Sequence, residues 1–287
     1  AAYLLLINSY LLLPTYYLLL PTSYFLLSTF YLNSMIICPK PNPKAKLRLF
    51  CFHHAGGGTL IFRNWAEELF PIAEIYLIQL PGRERRLSEP AFTRIEPLIE
   101  ELKSAILPHL NQPFAFFGYS MGSLIAFELT RHLRRDYQIY PQHLFVCAYR
   151  SPQLPKTKPP IHNLPDAEFL EELRSLNGTP EEILANDELM ALLMPTLRAD
   201  FAVIETYNYY DEPPLNCPIT ALGGLEDTEA NREELAAWSS QTNHNFNLHT
   251  LPGNHFFINS ARSQLLQLVY SECNQGESRG SGGSGGS

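Results

Sequence analysis

The sequence predicts an α/β protein: an open, mostly parallel sheet flanked by helices, with a helical insertion over one end. Three observations carry this. Short apolar runs alternate with amphipathic stretches from about Leu47 onward. One connection, about residues 151–216, is far longer than a crossover between parallel strands needs. A serine between two glycines, in Gly118-Tyr119-Ser120-Met121-Gly122, sits where an apolar run gives way to helical spacing.

The elements follow in order. "LRLFCFH", "IYLIQLP", "FAFFGYS", "HLFVCAYR", "CPITALGG" and "FNLHTLPG" are the short apolar runs, and predict strands. Between them "FRNWAEELF", "IEPLIEELKSAIL", "SLIAFELTRHLRR", "REELAAWSSQ" and "SARSQLLQLVY" repeat apolar residues at helical spacing. The long connection opens with prolines. It then carries helical patches, "DAEFLEELRSL", "PEEILAN" and "DELMALLMPTLRADFAVIETY". In an open α/β sheet the chemistry gathers at the carboxyl ends of the strands. An insertion leaving that end covers the site, so residues 151–216 are expected to form a lid.

The glycine-serine-glycine stretch fits the nucleophile elbow, G-x-S-x-G, and with it an α/β-hydrolase fold. A turn this tight leaves no room for neighbouring Cβ atoms, and the serine hydroxyl stands at the top of the sheet, at a helix N-terminus. The backbone N–H of Met121 points the same way and can stabilise an oxyanion. The remaining parts should follow in the order acid, then histidine. Asp227, with Glu226 beside it, lies just after "CPITALGG", and His255 lies just after "FNLHTLPG". A second oxyanion donor is expected from the first strand-to-helix loop, "FHHAGGG", at Phe52 to Gly58. Asp200, in "LRADF", is a rival acid, but it sits in lid-like helix. Pairing with Arg198, or capping the lid, suits it better.

"LFCFHHAGGG", "LPGRERR", "FAFFGYSMGSLIAFEL", "LRADFAVIETY", "CPITALGG" and "LPGNHFF" resemble, in order and spacing, the type II thioesterases that accompany nonribosomal peptide and polyketide synthetases. The resemblance covers about Leu47 to Tyr270. It implies Ser120 as nucleophile, Asp227 as acid and His255 as base, with the N–H groups of Ala55 and Met121 as oxyanion donors. In the family's Pro-His-Ala-Gly-Gly loop, His53 stands here in place of the proline, which frees a backbone N–H and loosens φ. The implied task is hydrolysis of aberrant or stalled acyl groups from the phosphopantetheine arm of a carrier domain. No metal or cofactor is expected, since the phosphopantetheine belongs to the substrate. Arg83 and Arg86, in "RERR", are expected either to meet an acidic carrier domain or the phosphate of its arm, or to form a solvated loop with Glu84 and Glu89. A small-molecule carboxylesterase or lipase would use the same triad. A hydrolase fold retained only for binding would be expected to have lost part of it.

Composition narrows the partners. A formal net charge of −8 argues against a nucleic-acid binder, which is usually basic. The five cysteines are odd in number and form no C-x-x-C pair. They are expected to be free thiols in a reducing, cytoplasmic compartment. The enzyme is expected to be a monomer without membrane attachment. Residues 1–34 repeat a tyrosine every seven positions, at Tyr3, Tyr10, Tyr17, Tyr24 and Tyr31, each before a leucine-rich run. Pro14 and Pro21 argue against a coiled coil, and a signal peptide's basic region is missing. A seven-nucleotide DNA repeat read in triplets gives this period automatically. That reading is preferred to a membrane anchor, with Met35 as a natural start and the domain at 35–275. Residues 276–287 form a Gly/Ser tail of the kind expression tags leave.

Overall fold

The computed structural model describes residues 34–176 and 178–275. The repeat at the N-terminus, apart from Ser34, and the Gly/Ser tail lie outside them. Seven strands form one sheet: β1 (Ile36–Ile37), β2 (Leu47–Phe52), β3 (Ala73–Ile78), β4 (Phe114–Tyr119), β5 (His143–Cys147), β6 (Ile219–Gly224) and β7 (Phe246–Leu251), in the order β1-β3-β2-β4-β5-β6-β7. All pairs are parallel except β1 with β3. The six expected strands are therefore present. The antiparallel β1 is an addition: a two-residue strand has too few positions to show any period.

β4 and β5 are buried along their whole length, which is why they read as continuous apolar runs rather than alternating ones. Period two survives in the choice of face. Phe50, Phe52, Phe116, Leu144 and Val146 point to one core layer, and Leu49, Cys51, Phe117, Phe145 and Cys147 to the other. The first layer packs beneath α2 (Ile95–Ile106) and α3 (Met121–Tyr137). The second packs beneath α1 (Trp65–Glu68) and the C-terminal α9 (Arg262–Gln275). Full burial of a phenylalanine such as Phe116 or Phe117 stabilises the fold by roughly 2–3 kcal/mol. All five cysteines are free, and Cys51, Cys147 and Cys217 are buried.

Two expected helices are interrupted. "FRNWAEELF" is a 3-10 turn followed by the short α1, because Asn64 takes a left-handed conformation at φ 66°. "REELAAWSSQ" begins as α7 (Arg232–Ala236), opened by a capping box between Asn231 and Glu234, and tightens into a 3-10 turn. The lid holds α4 (Asp166–Ser175), α5 (Glu181–Leu184) and α6 (Asp187–Thr206), as the helical patches predict. It has a small core of its own around Phe169, Leu173, Leu184 and Met190. The short α8 (Phe257–Ser260) precedes α9. Among the described residues no helix is long and apolar enough to cross a membrane.

Candidate active site

β4 ends at Tyr119 and α3 begins at Met121, so Ser120 alone makes the turn. Its backbone sits at φ 52°, ψ −119°, a region a non-glycine residue enters only when the surroundings impose it. They do so here. The Ser120 N–H donates to the Cys147 carbonyl at 2.7 Å. The Ser123 hydroxyl lies 2.9 Å from the carbonyls of Gly118 and Cys147 and accepts the Cys147 N–H. The flanking glycines are steric necessities. A Cβ on Gly118 would come within 2.4 Å of the Gly122 carbonyl, and one on Gly122 within 2.2 Å of the Phe52 carbonyl.

The loops after β6 and β7 bring the other two predicted residues to the same point. His255 Nε2 lies 3.1 Å from Ser120 Oγ. His255 Nδ1 lies 3.0 and 3.1 Å from the two carboxylate oxygens of Asp227. The Asp227 side chain is wholly buried, and its Oδ1 also accepts the N–H groups of Glu229 and Ala230, which fixes its orientation. Glu226, beside it, faces solvent. Tyr119, fully buried, hydrogen-bonds through its hydroxyl to the backbone carbonyl of His255 at 2.6 Å. Burial pushes its phenol well above the usual range, so it stays a neutral donor.

Ala55 and Ser120 line one cavity of about 810 Å³, together with His54 and His255. The lid supplies Leu173, Leu197 and Phe201 to its walls, so the insertion covers the serine as expected. Met121 buries its side chain in the core. Its N–H belongs to the first turn of α3, where no intrahelical acceptor exists. Burial lowers the His54 and His53 imidazoles from their usual range and keeps them neutral. His54 Nδ1 donates to the Ala55 carbonyl at 2.9 Å, turning that carbonyl to its own ring. His53, the departure from the family loop, donates from Nδ1 to the His54 carbonyl at 2.8 Å.

Two expectations need correction. Arg83 and Arg86 do not form a surface for a carrier domain: they are only 7% and 5% exposed. Arg86 is held by Glu89, Glu101 and the Gln79 carbonyl, and Arg83 by Asp200. The Glu89 pairing is the one anticipated, whereas Glu84 instead accepts from Thr59. Asp200 does not pair with Arg198 either. Two positions apart on a helix, the two residues face different sides, and Arg198 reaches Asp166 while Asp200 turns inward. Among the tyrosines at the end of the lid, Tyr207 is buried with its hydroxyl on Glu128, and Tyr210 is exposed.

Among the described residues one group of metal-ligating types stands apart, Glu100, His132 and Asp136 on α2 and α3. Lys103 already bonds Glu100 at 2.8 Å and Asp136 at 2.6 Å, so an ammonium fills the place between the carboxylates.

A strained serine, a histidine and a buried aspartate are thus brought together from the ends of β4, β7 and β6. The sequence profile of the thioesterase domain family matches residues 47–273. The chain belongs to the thioesterase domain family. Similar members include linear gramicidin dehydrogenase LgrE of Brevibacillus parabrevis, 46% identical over 82% of this chain and 91% of its own. RedJ, a thioesterase from the prodiginine biosynthetic pathway in Streptomyces coelicolor, is 37% identical, with a TM-score of 0.76 over 82% of this chain and 94% of RedJ. The type II thioesterase BorB from the borrelidin biosynthetic cluster is 34% identical, with a TM-score of 0.76 over 83% of this chain and 97% of BorB. The word dehydrogenase belongs to the first protein's name, while the family profile and both structures are thioesterases. This thioesterase is a thioester hydrolase of the serine hydrolase type, with the fold that its motifs predict.

Proposed function

We propose that this thioesterase hydrolyses acyl or aminoacyl groups from the phosphopantetheine arm of carrier domains, clearing aberrant or stalled intermediates from a nonribosomal peptide or polyketide assembly line. The observation that carries the reading is the unbroken relay Asp227–His255–Ser120, opening into a cavity roofed by the lid. The pathway contexts of RedJ and BorB support the substrate class.

In this reading His255 Nε2 takes the Ser120 proton as Oγ attacks the thioester carbonyl. Asp227 holds the tautomer with the proton on Nδ1 and stabilises the imidazolium that forms. The N–H groups of Ala55 and Met121 receive the charge that develops on the carbonyl oxygen. The carbon–sulfur bond then breaks and the thiol leaves with the proton held by His255. Water, deprotonated by the same nitrogen, attacks the acyl-enzyme; the bond to Ser120 Oγ breaks, His255 returns the proton to that oxygen, and the acid is released. Besides the substrate and water, the scheme draws on side chains and backbone of this chain.

A housekeeping enzyme meets its acyl group on a carrier, so part of the binding energy should come from the carrier, remote from the reacting carbonyl. The test is kcat/KM on an acetyl or aminoacyl carrier protein against the matching small-molecule thioester. The carrier should be preferred by at least about tenfold, roughly 1.4 kcal/mol of extra transition-state binding. Preference for free esters, or no preference for the carrier, would leave a general carboxylesterase in place of the editing enzyme.

A further inference from the structure

Two sequence motifs have no part in the relay: "RERR" after β3 and "LRADF" in the lid. The structure joins them to each other and to the loop carrying Ala55. Asp200, 2% exposed, projects from α6 toward that loop. Its Oδ2 accepts the Gly56 N–H at 2.7 Å. Arg83 grips the same carboxylate with both ends of its fork, Nη1 to Oδ2 and Nη2 to Oδ1, each at 2.7 Å. Arg83 Nη1 also donates to the Gly57 carbonyl at 3.1 Å, and Nε donates to the Pro81 carbonyl. One turn earlier on α6, the Thr196 hydroxyl donates to the Gly82 carbonyl at 2.6 Å. The helix presses directly on the loop, since a Cβ on Gly56 would lie 2.4 Å from Leu197 Cδ2.

From this we infer that Asp200 and Arg83 are positioning residues for the oxyanion hole: they fix the Ala55–Gly57 backbone against the lid helix, so the lid sets the geometry of the Ala55 N–H. The inference rests on the reading of Ser120 and Ala55 given above. The physical reasoning is local. A loop with three consecutive glycines, Gly56 to Gly58, has little side-chain packing to hold it. An oxyanion donor acts only when its direction is fixed before the charge appears. The Gly56 N–H and the Gly57 carbonyl, which follow Ala55, are both tied to one buried ion pair. Bidentate geometry fixes the orientation of that pair as well as its distance. The segment of α6 around Asp200 is therefore a fixed wall of the site.

The test separates positioning from folding. Asp200→Asn keeps the size of the side chain and one acceptor oxygen. Asp200→Asn with Arg83→Gln also removes the charge that the single change would leave buried alone, a situation that can unfold a protein. For wild type and both variants, three quantities are measured: kcat and KM on an acyl N-acetylcysteamine thioester, Ki for the trifluoromethyl ketone of the same acyl chain, and Kd for the thioether lacking the carbonyl. The ketone forms an oxyanion on the serine, and the thioether does not. Circular dichroism identifies the variants that fold, and the double variant is read where the single one does not. The expected result is a fall in kcat of roughly ten- to a hundredfold. Ki should rise by the same factor, with KM and the thioether Kd within about twofold. A folded variant with unchanged kcat and Ki overturns the inference, as does an equal loss of affinity for ketone and thioether. If the ketone fails to inhibit the wild type, the reading of Ser120 falls first and this one with it. If it inhibits wild type and variants alike, only this inference falls.

Discussion

The phenol of Tyr119 donates to the backbone carbonyl of His255 at 2.6 Å and accepts the N–H of Ile258 at 3.3 Å. The residue next to the strained serine thus holds the loop that delivers the histidine. Tyr119→Phe keeps the buried ring and leaves both backbone groups without this partner, at a cost of about 1–3 kcal/mol. Urea unfolding should register that loss. The His255 loop loosens as well, so kcat should fall by roughly tenfold while KM stays close to wild type. An unchanged kcat in a destabilised variant would reduce the bond to a purely structural one.

Ser120→Ala should fold as the wild type does and lose turnover by a factor on the order of a million, since relay members act as a unit. A serine-directed phosphonate should leave its adduct on Ser120, read by peptide mass spectrometry. An adduct on another residue would end the assignment.

Asp227 and Glu226 are adjacent, yet only Asp227 faces His255, with its side chain wholly buried. Asp227→Asn should lower kcat by about ten thousandfold, because the amide favours the wrong imidazole tautomer. Glu226→Gln, a change at the surface, should leave kcat within about twofold. Reversed severities would mean that the loop presents Glu226 to the histidine in solution.

His143 in β5 is buried, stacked on Phe145 and bonded through Nε2 to Thr220 Oγ1 at 2.8 Å. Burial lowers its pKa to about 4. Below pH 6.5 the unfolded chain takes up a proton that the folded chain refuses, so stability falls as pH drops from 6.5 toward 4. The loss from this residue is on the order of 3 kcal/mol. His53 and His54, also lowered by burial, act in the same direction. His143→Gln should flatten the acid side of the stability profile measured by urea titration at several pH values. Parallel slopes for variant and wild type would refute the assignment.

The amino-acid sequence by itself determined the alternation of strands and helices, the lid and the order of the site. Each is written in local signals. β4 is a continuous apolar run because both its faces are covered. The glycines beside Ser120 are fixed by contacts with the next turn of chain and with the neighbouring strand end, so their spacing is legible. Asp227 and His255 were legible as residues just past strand ends, where an open parallel sheet gathers its chemistry.

Beyond the local pair of Arg86 with Glu89, only the tertiary structure decided which partner each of these charges takes. Asp200 and Arg83 are 117 residues apart, and Tyr119 and the His255 carbonyl are 136 apart. Nothing in local composition distinguishes a buried arginine from an exposed one in "RERR", where Glu84 and Arg85 face solvent while Arg83 and Arg86 do not. The physical reason is desolvation. A guanidinium leaves water only where carboxylates and carbonyls from other elements already converge on it. That convergence is a property of the packed elements, here α6 laid across the loops after β2 and β3, rather than of any segment read alone.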